Sequence, residues 1–449
     1  MTGMAAARPA KFTVVGAGLG GALMAIYLGR AGYEVEVHER RADPRVSQQD
    51  GGRSINLAIS TRGIESLAAV GLADEILRMA IPMRGRMMHS RHGELAFQPY
   101  GTEAAHVINS VSRADLNIAL LNAAEKTGNV RLVFGKRCAG VDLDTATVSV
   151  TDVDTGKKST VRADAVVGAD GAFSAVRQSM QRLDRFDYEQ AYLEHGYKEL
   201  TIPAAPDGRF LLEKHALHIW PRGGFMLIAL PNRDGSFTAT LFWPLEGENS
   251  AASLRTEAGV RRYFAEMFPD AVPLMPALIE DWFRNPAGTL VTIRCRPWHY
   301  RDKVVLLGDA GHAVVPFYGQ GANAAFEDCL VLSECLAAHA PDREQAFARF
   351  QALRKRNTDA LADLSLANFV EMRDHTASRT FLLARRIEKD LHRLFPARFV
   401  PLYTMVTFSR TPYAEAVARA RRQWRIVKLA VAAPVAAGLS LLLWRRSRR

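Results

Sequence analysis

Residues 11–39 restrict the fold more than any other part of this 449-residue chain. Lys11 to Val15 is an apolar run that reads as a short buried strand, and Gly16, Gly18 and Gly21 follow it as G-x-G-x-x-G, with Gly20 inside the pattern. Ala22 to Ala31 has helical periodicity up to Gly32, and Glu34 to His38 reads as a second strand with Glu39 at its end. Glycine keeps side chains out of such a βαβ turn, so backbone N–H groups and the positive end of a helix dipole can approach a pyrophosphate. Glu39, 23 residues after Gly16, is spaced to accept hydrogen bonds from ribose hydroxyls. The pattern predicts a dinucleotide site without choosing between flavin and nicotinamide.

Two later strands make that choice. Val166-Val167-Gly168-Ala169-Asp170-Gly171 closes an apolar strand with Asp-Gly. Leu306-Leu307-Gly308-Asp309-Ala310 closes another with Gly-Asp, and Gly311-His312-Ala313, Pro316 and Gly319-Gln320-Gly321 follow. Three such fingerprints in this order resemble the class A flavoprotein monooxygenases, the family of para-hydroxybenzoate hydroxylase. The resemblance implies an α/β fold: a Rossmann-like FAD-binding domain, an interleaved antiparallel-sheet substrate domain and a C-terminal helical region. It assigns Asp309 to the ribityl chain. It places Gly319, Gly321, Ala322 and Asn323 at a helix start facing the flavin pyrimidine ring, where the dipole stabilises negative charge on reduced flavin. Arg41, Ala58, Arg113, Cys138 and Asp170 match family positions that line the cofactor.

Longer strings resemble kynurenine 3-monooxygenases within that family, over nearly the whole chain. They are Gly52-Arg53-Ser54-Ile55-Asn56-Leu57-Ala58, Ile81-Pro82-Met83-Arg84-Gly85-Arg86-Met87, His195-Gly196-Tyr197, Leu217-His218-Ile219-Trp220-Pro221-Arg222, and Pro401-Leu402-Tyr403-Thr404-Met405-Val406-Thr407-Phe408. The resemblance implies hydroxylation of L-kynurenine at C3 with NADPH and O2, through a flavin C4a-hydroperoxide, in tryptophan degradation. It carries the grip on the substrate's amino-acid head to Arg86, Tyr100, Asn368 and Tyr403, where a guanidinium can hold a carboxylate bidentately. It carries the ring contacts to Leu217, Ile228, Leu230, Phe242 and Phe317. No residue is assigned as acid or base, because the ring's own amino group directs attack to the adjacent carbon; His312 reads as a hydrogen-bonded histidine of the Gly-Asp loop. Two alternatives stay open: hydroxylation of another phenolic or anthranilate-like aromatic, and a membrane-tethered flavin scaffold acting on a partner.

The rest of the chain reads as follows. Thr147 to Val153 and Lys158 to Val161 flank Asp154-Thr155-Gly156 as a hairpin, and Phe210 to Pro244 alternates apolar and polar residues as an antiparallel sheet does. Ala322 to Ala338 and the stretch from Gln345 to about Phe395 read as helices. These patterns divide the chain into FAD-binding segments 1–100 and 101–185, a substrate sheet 186–295, an FAD-binding return 296–345, a helical cap 346–420 and a basic apolar tail 421–449. Of the net charge of +11, 8 positive charges lie from Arg421 onward and leave +3 for the body, which argues against a nucleic-acid surface. Cys138, Cys295, Cys329 and Cys335 have no metal-ligand or disulfide spacing and read as buried thiols of a cytoplasmic protein. Leu429 to Trp444 is apolar between basic clusters but shorter than the roughly 20 residues of a spanning helix. It reads as a membrane-surface segment, with a helix packed on the body as the other reading.

Overall fold

The computed structural model describes residues 9–46, 56–101, 106–371 and 379–446, with backbone alone over 379–385, 389 and 431–446. The motif residues Gly52, Arg53, Ser54 and Ile55 lie outside the described residues, as do Arg448 and Arg449. Contacts divide the chain into one unit over Met1–Thr376 and a second over Ala377–Arg449.

The first unit is built on two large sheets. The six-stranded one runs His299–Tyr300, Val304–Leu306, Ala165–Gly168, Lys11–Val15, Glu34–His38, Val130–Val133, parallel except at the first pair. Phe12, Val14, Val166, Val167 and Val304 to Leu306 are fully buried in one core with residues of the Leu19–Arg30, Arg113–Glu125 and Gly321–Ala338 helices. That is why these strands read as continuous apolar runs rather than alternating ones. The first helix starts at Leu19, three residues before the periodicity showed it. Gly20 and Gly21 occupy its first turn, and their low helix propensity hides the true start. The hairpin forms as expected, Thr147–Asp152 against Lys158–Arg162, with Gly156 in the turn at φ +69°.

The seven-stranded sheet runs Gly288–Arg296, Asp187–Ile202, Phe237–Pro244, Met226–Pro231, Ala216–Pro221, Gly85–His89, Leu95–Pro99. Its centre is the antiparallel sheet expected over 210–244. Gly85–His89 then joins parallel to Ala216–Pro221, so the whole is mixed and draws in residues that precede it by more than a hundred positions. Alternation separates its two faces. Leu200, Ile202, Leu227, Ala229, Ala239, Leu241 and Trp243 point to one side, into a core closed by the Glu257–Met267 and Leu278–Arg284 helices. Register places Tyr197, Phe242 and Met226 together on the other side, followed by Glu199, Thr240 and Ile228.

The stretch after residue 342 begins with a 28-residue helix, Arg343–Val370, capped by Asp342, whose carboxylate accepts from the Gln345 amide at 3.0 Å. Arg379–Leu394 follows in the second unit, with Leu402–Thr407 and the long Tyr413–Arg446 helix. Gln423 exchanges hydrogen bonds with the Val400 backbone, and Trp424 meets the Phe399 ring edge-on at 6.0 Å. The beginning of the basic tail is therefore part of a packed unit. Among the described residues no helix is long and apolar enough to cross a membrane.

Candidate active site

The glycine turn is fixed by contact distances. Gly16 has φ +100°, and a Cβ there would lie 2.6 Å from the Ala169 carbonyl oxygen; a Cβ on Gly21 would lie 1.9 Å from the Gly16 carbonyl oxygen. Both positions therefore exclude any side chain. A Cβ on Gly20 would come 3.2 Å from Leu307, so that glycine packs the helix on the Gly-Asp strand. Gly18 differs: it caps the helix, and a Cβ there would meet nothing within 4 Å. Protein packing does not demand glycine at that point, whereas a pyrophosphate approaching the helix N-terminus would. Glu39 is buried at the end of the second strand and accepts from the Ala17 amide at 2.9 Å and from the Arg41 amide and Nε at 3.0 Å. Burial pushes its carboxyl up, but the charge and hydrogen bonds of Arg41 and the Ala17 amide outweigh that and hold it below the usual range. Arg41 itself is exposed.

The Asp-Gly loop presents a second polar group. Asp170 Oδ2 accepts from the Ala175 and Val176 amides at 2.7 and 3.3 Å, while the buried Oδ1 has no partner among the described residues; burial pushes the carboxyl up. Cys138 is half-buried rather than buried, and burial, then the Asp170 charge, push its thiol up to about 12. Asp309, in the Gly-Asp loop, keeps solvent-accessible surface although protein atoms surround its carboxyl. Burial raises its carboxyl against the charges of His312 and Arg113, with Asp328 adding to the rise. The Asp170 Cα lies 3.0 Å from where a Gly16 Cβ would stand, so its unpartnered oxygen belongs to the loop beside the glycine turn, an arrangement that fits a flavin dinucleotide.

Beneath the Gly-Asp loop lies an ion network that sequence reasoning missed. Asp328 accepts from the Gly308 amide at 3.1 Å and His312 Nε2 at 2.5 Å on one oxygen, and from Arg354 Nε at 2.6 Å on the other. Arg354 also pairs with Glu327, whose second oxygen holds Arg62 at 2.7 Å. All five side chains are buried. Burial opposes the Asp328 charge, but His312 and Arg354 hold its carboxyl below the usual range. A network this dry is worth keeping intact, since removing one partner from a buried pair costs about 3–5 kcal/mol. It was legible in principle: Arg354 falls on the helical stripe of Phe347, Phe350, Leu361 and Asn368, where a solvated arginine has no place. His312 is thus the hydrogen-bonded histidine expected of the loop.

Asn323 ties the next segment down. Its amide donates to Ala58 O at 2.8 Å and Gly319 O at 2.9 Å, and its oxygen accepts from the Ser60 amide at 2.9 Å. A Cβ on Gly321, in contrast, would find only Val314 at 3.7 Å, so nothing in the protein forces glycine there. Arg177, also missed, is buried and donates to Ala172 O at 2.6 Å and Ala310 O at 2.8 Å, which joins the Asp-Gly loop to the Gly-Asp loop.

The residues expected at the substrate's ring converge on one sheet face. Leu217, Ile228, Leu230 and Phe242 share it with Arg86, which is paired in register with Leu217. The Arg86 guanidinium lies 5.8 Å from the centroid of the buried Tyr100 ring. Phe317 meets Phe242 edge-on at 4.9 Å and stacks on Phe369 at 4.2 Å. Asn368 is buried, and its amide donates to Phe317 O at 2.6 Å. Tyr403, half-buried in the Leu402–Thr407 helix of the second unit, lies 6.2 Å from the Phe408 ring. Tyr197, which sequence reading quoted without a role, packs 6.5 Å from Phe242, and burial, then Glu199, raise its phenol against the charge of Arg113.

This arrangement has known counterparts. A family described as an FAD binding domain matches residues 10–363. A kynurenine 3-monooxygenase of Myxococcus xanthus is 52% identical over 91% of this chain and 88% of its own length. One of Salinispora tropica is 48% identical over 98% of both, and one of Dictyostelium discoideum is 46% identical over 90% of this chain and 89% of its own. Among solved structures, a tetrameric 2-methyl-3-hydroxypyridine-5-carboxylic acid oxygenase superposes with a TM-score of 0.67 at 23% identity, over 84% of this chain and 96% of that one, a likeness of fold. The chain belongs to the kynurenine 3-monooxygenase family of FAD-dependent monooxygenases.

Proposed function

We propose that the protein hydroxylates L-kynurenine at C3, converting it with NADPH, a proton and O2 to 3-hydroxy-L-kynurenine, NADP+ and water. The observation that carries this reading is the single sheet face that runs from Arg86 through its neighbour Leu217, then Ile228 and Leu230, to Phe242 at the far end. A cation beside a phenol suits an amino-acid carboxylate; flat apolar walls suit an aromatic ring and keep water from the reacting oxygen. FAD, when bound, accepts hydride from NADPH and activates O2. Gly18, Glu39, Asp170 and Asp309 would hold it, with Gly319 to Asn323 facing the flavin ring.

The protein's own work is placement. Asn368 fixes the Phe317 backbone, and Phe317 with Phe242 and Phe369 holds the ring plane. The substrate's amino group supplies the electron push toward its neighbouring carbon, so no protein base is assigned. The part of Tyr403 in gripping the substrate head rests on the family resemblance. The tail from Leu429 is proposed to rest on a membrane surface, with the flanking Lys428 and arginines meeting anionic headgroups.

The test is turnover. Purified holoenzyme given NADPH and L-kynurenine should release 3-hydroxykynurenine in step with NADPH oxidation. Oxidation that yields peroxide without hydroxylated product defeats the reading, and faster coupled turnover of a phenolic or anthranilate acid would move the protein to that substrate class.

A further inference from the structure

On the sheet face just described, Thr240 is a polar side chain to which no part has been given. Thr240 lies in the centre of Phe237–Pro244, in register with Ile228 on one neighbouring strand and Glu199 on the other. Two residues further along the same strand, and on the same side, is Phe242. Thr240 is 0% exposed, and its Oγ1 has no hydrogen-bond partner among the described residues. A buried hydroxyl without a partner is uncommon, because leaving one unmet costs about 1–3 kcal/mol. Its neighbour Thr238, on the same face, spends its hydroxyl on Asn232.

Position along the face says which part of a ligand this hydroxyl could meet. Gly85–His89, which carries Arg86, lies three strands away, about 14 Å at the usual interstrand spacing. With the carboxylate held at Arg86, Thr240 stands beside the aromatic end, between Ile228 and Phe242. There an ortho-aminoaryl ketone has a ring amine whose one N–H closes onto its own ketone, leaving the other pointing outward.

Building on the substrate reading above, we infer that Thr240 is a specificity-determining residue whose hydroxyl oxygen accepts the outward N–H of the substrate's ring amine. The contact orients the ring about its long axis and so presents C3, the one unsubstituted carbon ortho to the amine, rather than C5, which is para to it. It also gives an otherwise apolar wall a means of rejecting rings without the amine, since a polar site loses its partner when the analogue lacks the group.

The test compares ligand binding to holoenzyme, followed by the flavin absorbance change. The ligands are L-kynurenine and its analogue without the ring amine, 2-amino-4-oxo-4-phenylbutanoic acid. Thr240→Val, nearly isosteric, should weaken kynurenine binding by about three- to tenfold, the worth of one neutral hydrogen bond, and leave the analogue unchanged. Thr240→Ser, which restores the hydroxyl, should bind kynurenine like the parent. Equal weakening of both ligands by Thr240→Val would make Thr240 a packing residue and overturn the assignment, as would no change for either. If the unaltered enzyme fails to bind kynurenine, the substrate reading falls and takes this inference with it; normal binding with an unresponsive Thr240→Val defeats the inference alone.

Discussion

The two faces of the seven-stranded sheet are made by the same strands, yet they have opposite characters. On the closed face Leu241, Trp243, Leu227 and Ala229 are sealed beneath two helices, where His89 stacks on Trp220 at 3.9 Å and Trp220 Nε1 donates to Asp270 at 2.8 Å. On the other face Arg86, Thr240, Ile228 and Phe242 form a wall with polar groups at both ends. A residue step of one decides whether a side chain joins the sealed core or the face proposed to receive the substrate.

That division can be broken by substitutions chosen from each side. The largest expected effect is on the recognition face: Arg86→Ala should raise KM for kynurenine by about 100-fold, equivalent to about 3 kcal/mol, with little change in melting temperature. A large drop in stability with KM preserved would show the arginine to be structural. On the closed face the expectation reverses. Leu241→Ala, at a fully buried position, should cost about 2–5 kcal/mol in chemical denaturation and leave KM within twofold of the parent.

The closed face should also respond to acid. His218 Nε2 faces the Glu213 carbonyl, which can only accept, so that nitrogen carries hydrogen; its Nδ1 then accepts from His89. Burial pushes the ring down to about 4, with His89 adding to the fall. The folded protein therefore binds this proton less readily than the unfolded chain. The stabilisation is complete above the ordinary histidine value of about 6.5 and is lost as pH falls from there to about 4, a change of about 3 kcal/mol. Denaturation midpoints measured across that window should decline, and His218→Gln should flatten the decline; an unchanged slope would remove His218 from the account. The smallest effect concerns the tail. Since Gln423 and Trp424 belong to the packed second unit, truncation should follow Lys428. It should abolish sedimentation with anionic vesicles while sparing turnover, and retained vesicle binding would dismiss the surface reading.

How much of this was legible in the sequence depended on which physical rule each feature obeys. The turn around Gly16 and Gly21 was plain, because a carbonyl within 2–3 Å of an absent Cβ leaves no other residue possible. The central strands of the seven-stranded sheet showed in their alternation. Its edge did not, because Gly85–His89 is paired by tertiary topology with a strand 130 residues later, and Leu95–Pro99 is exposed throughout and carries no period. The ion network under the Gly-Asp loop was missed for a different reason. Asp328, Glu327 and Arg354 look like ordinary helix charges until their stripe is compared with the apolar one, and Arg62 is buried within a short amphipathic helix. Asn368, a polar residue in a long helix, is buried because it lies on the stripe of Phe347, Phe350 and Leu361.

That same helix acts as a ruler. Arg354 is anchored to Asp328 beneath the Gly-Asp loop, and Asn368, fourteen residues on, is anchored to Phe317 in the substrate wall. At about 1.5 Å per residue the two anchors are about 21 Å apart along one rigid rod, which turns about 100° with each residue. A single inserted residue between them would swing Asn368 off Phe317 while leaving Arg354 in place. Relatives that keep both anchors should therefore tolerate substitution at the exposed positions of this span and changes of length hardly at all.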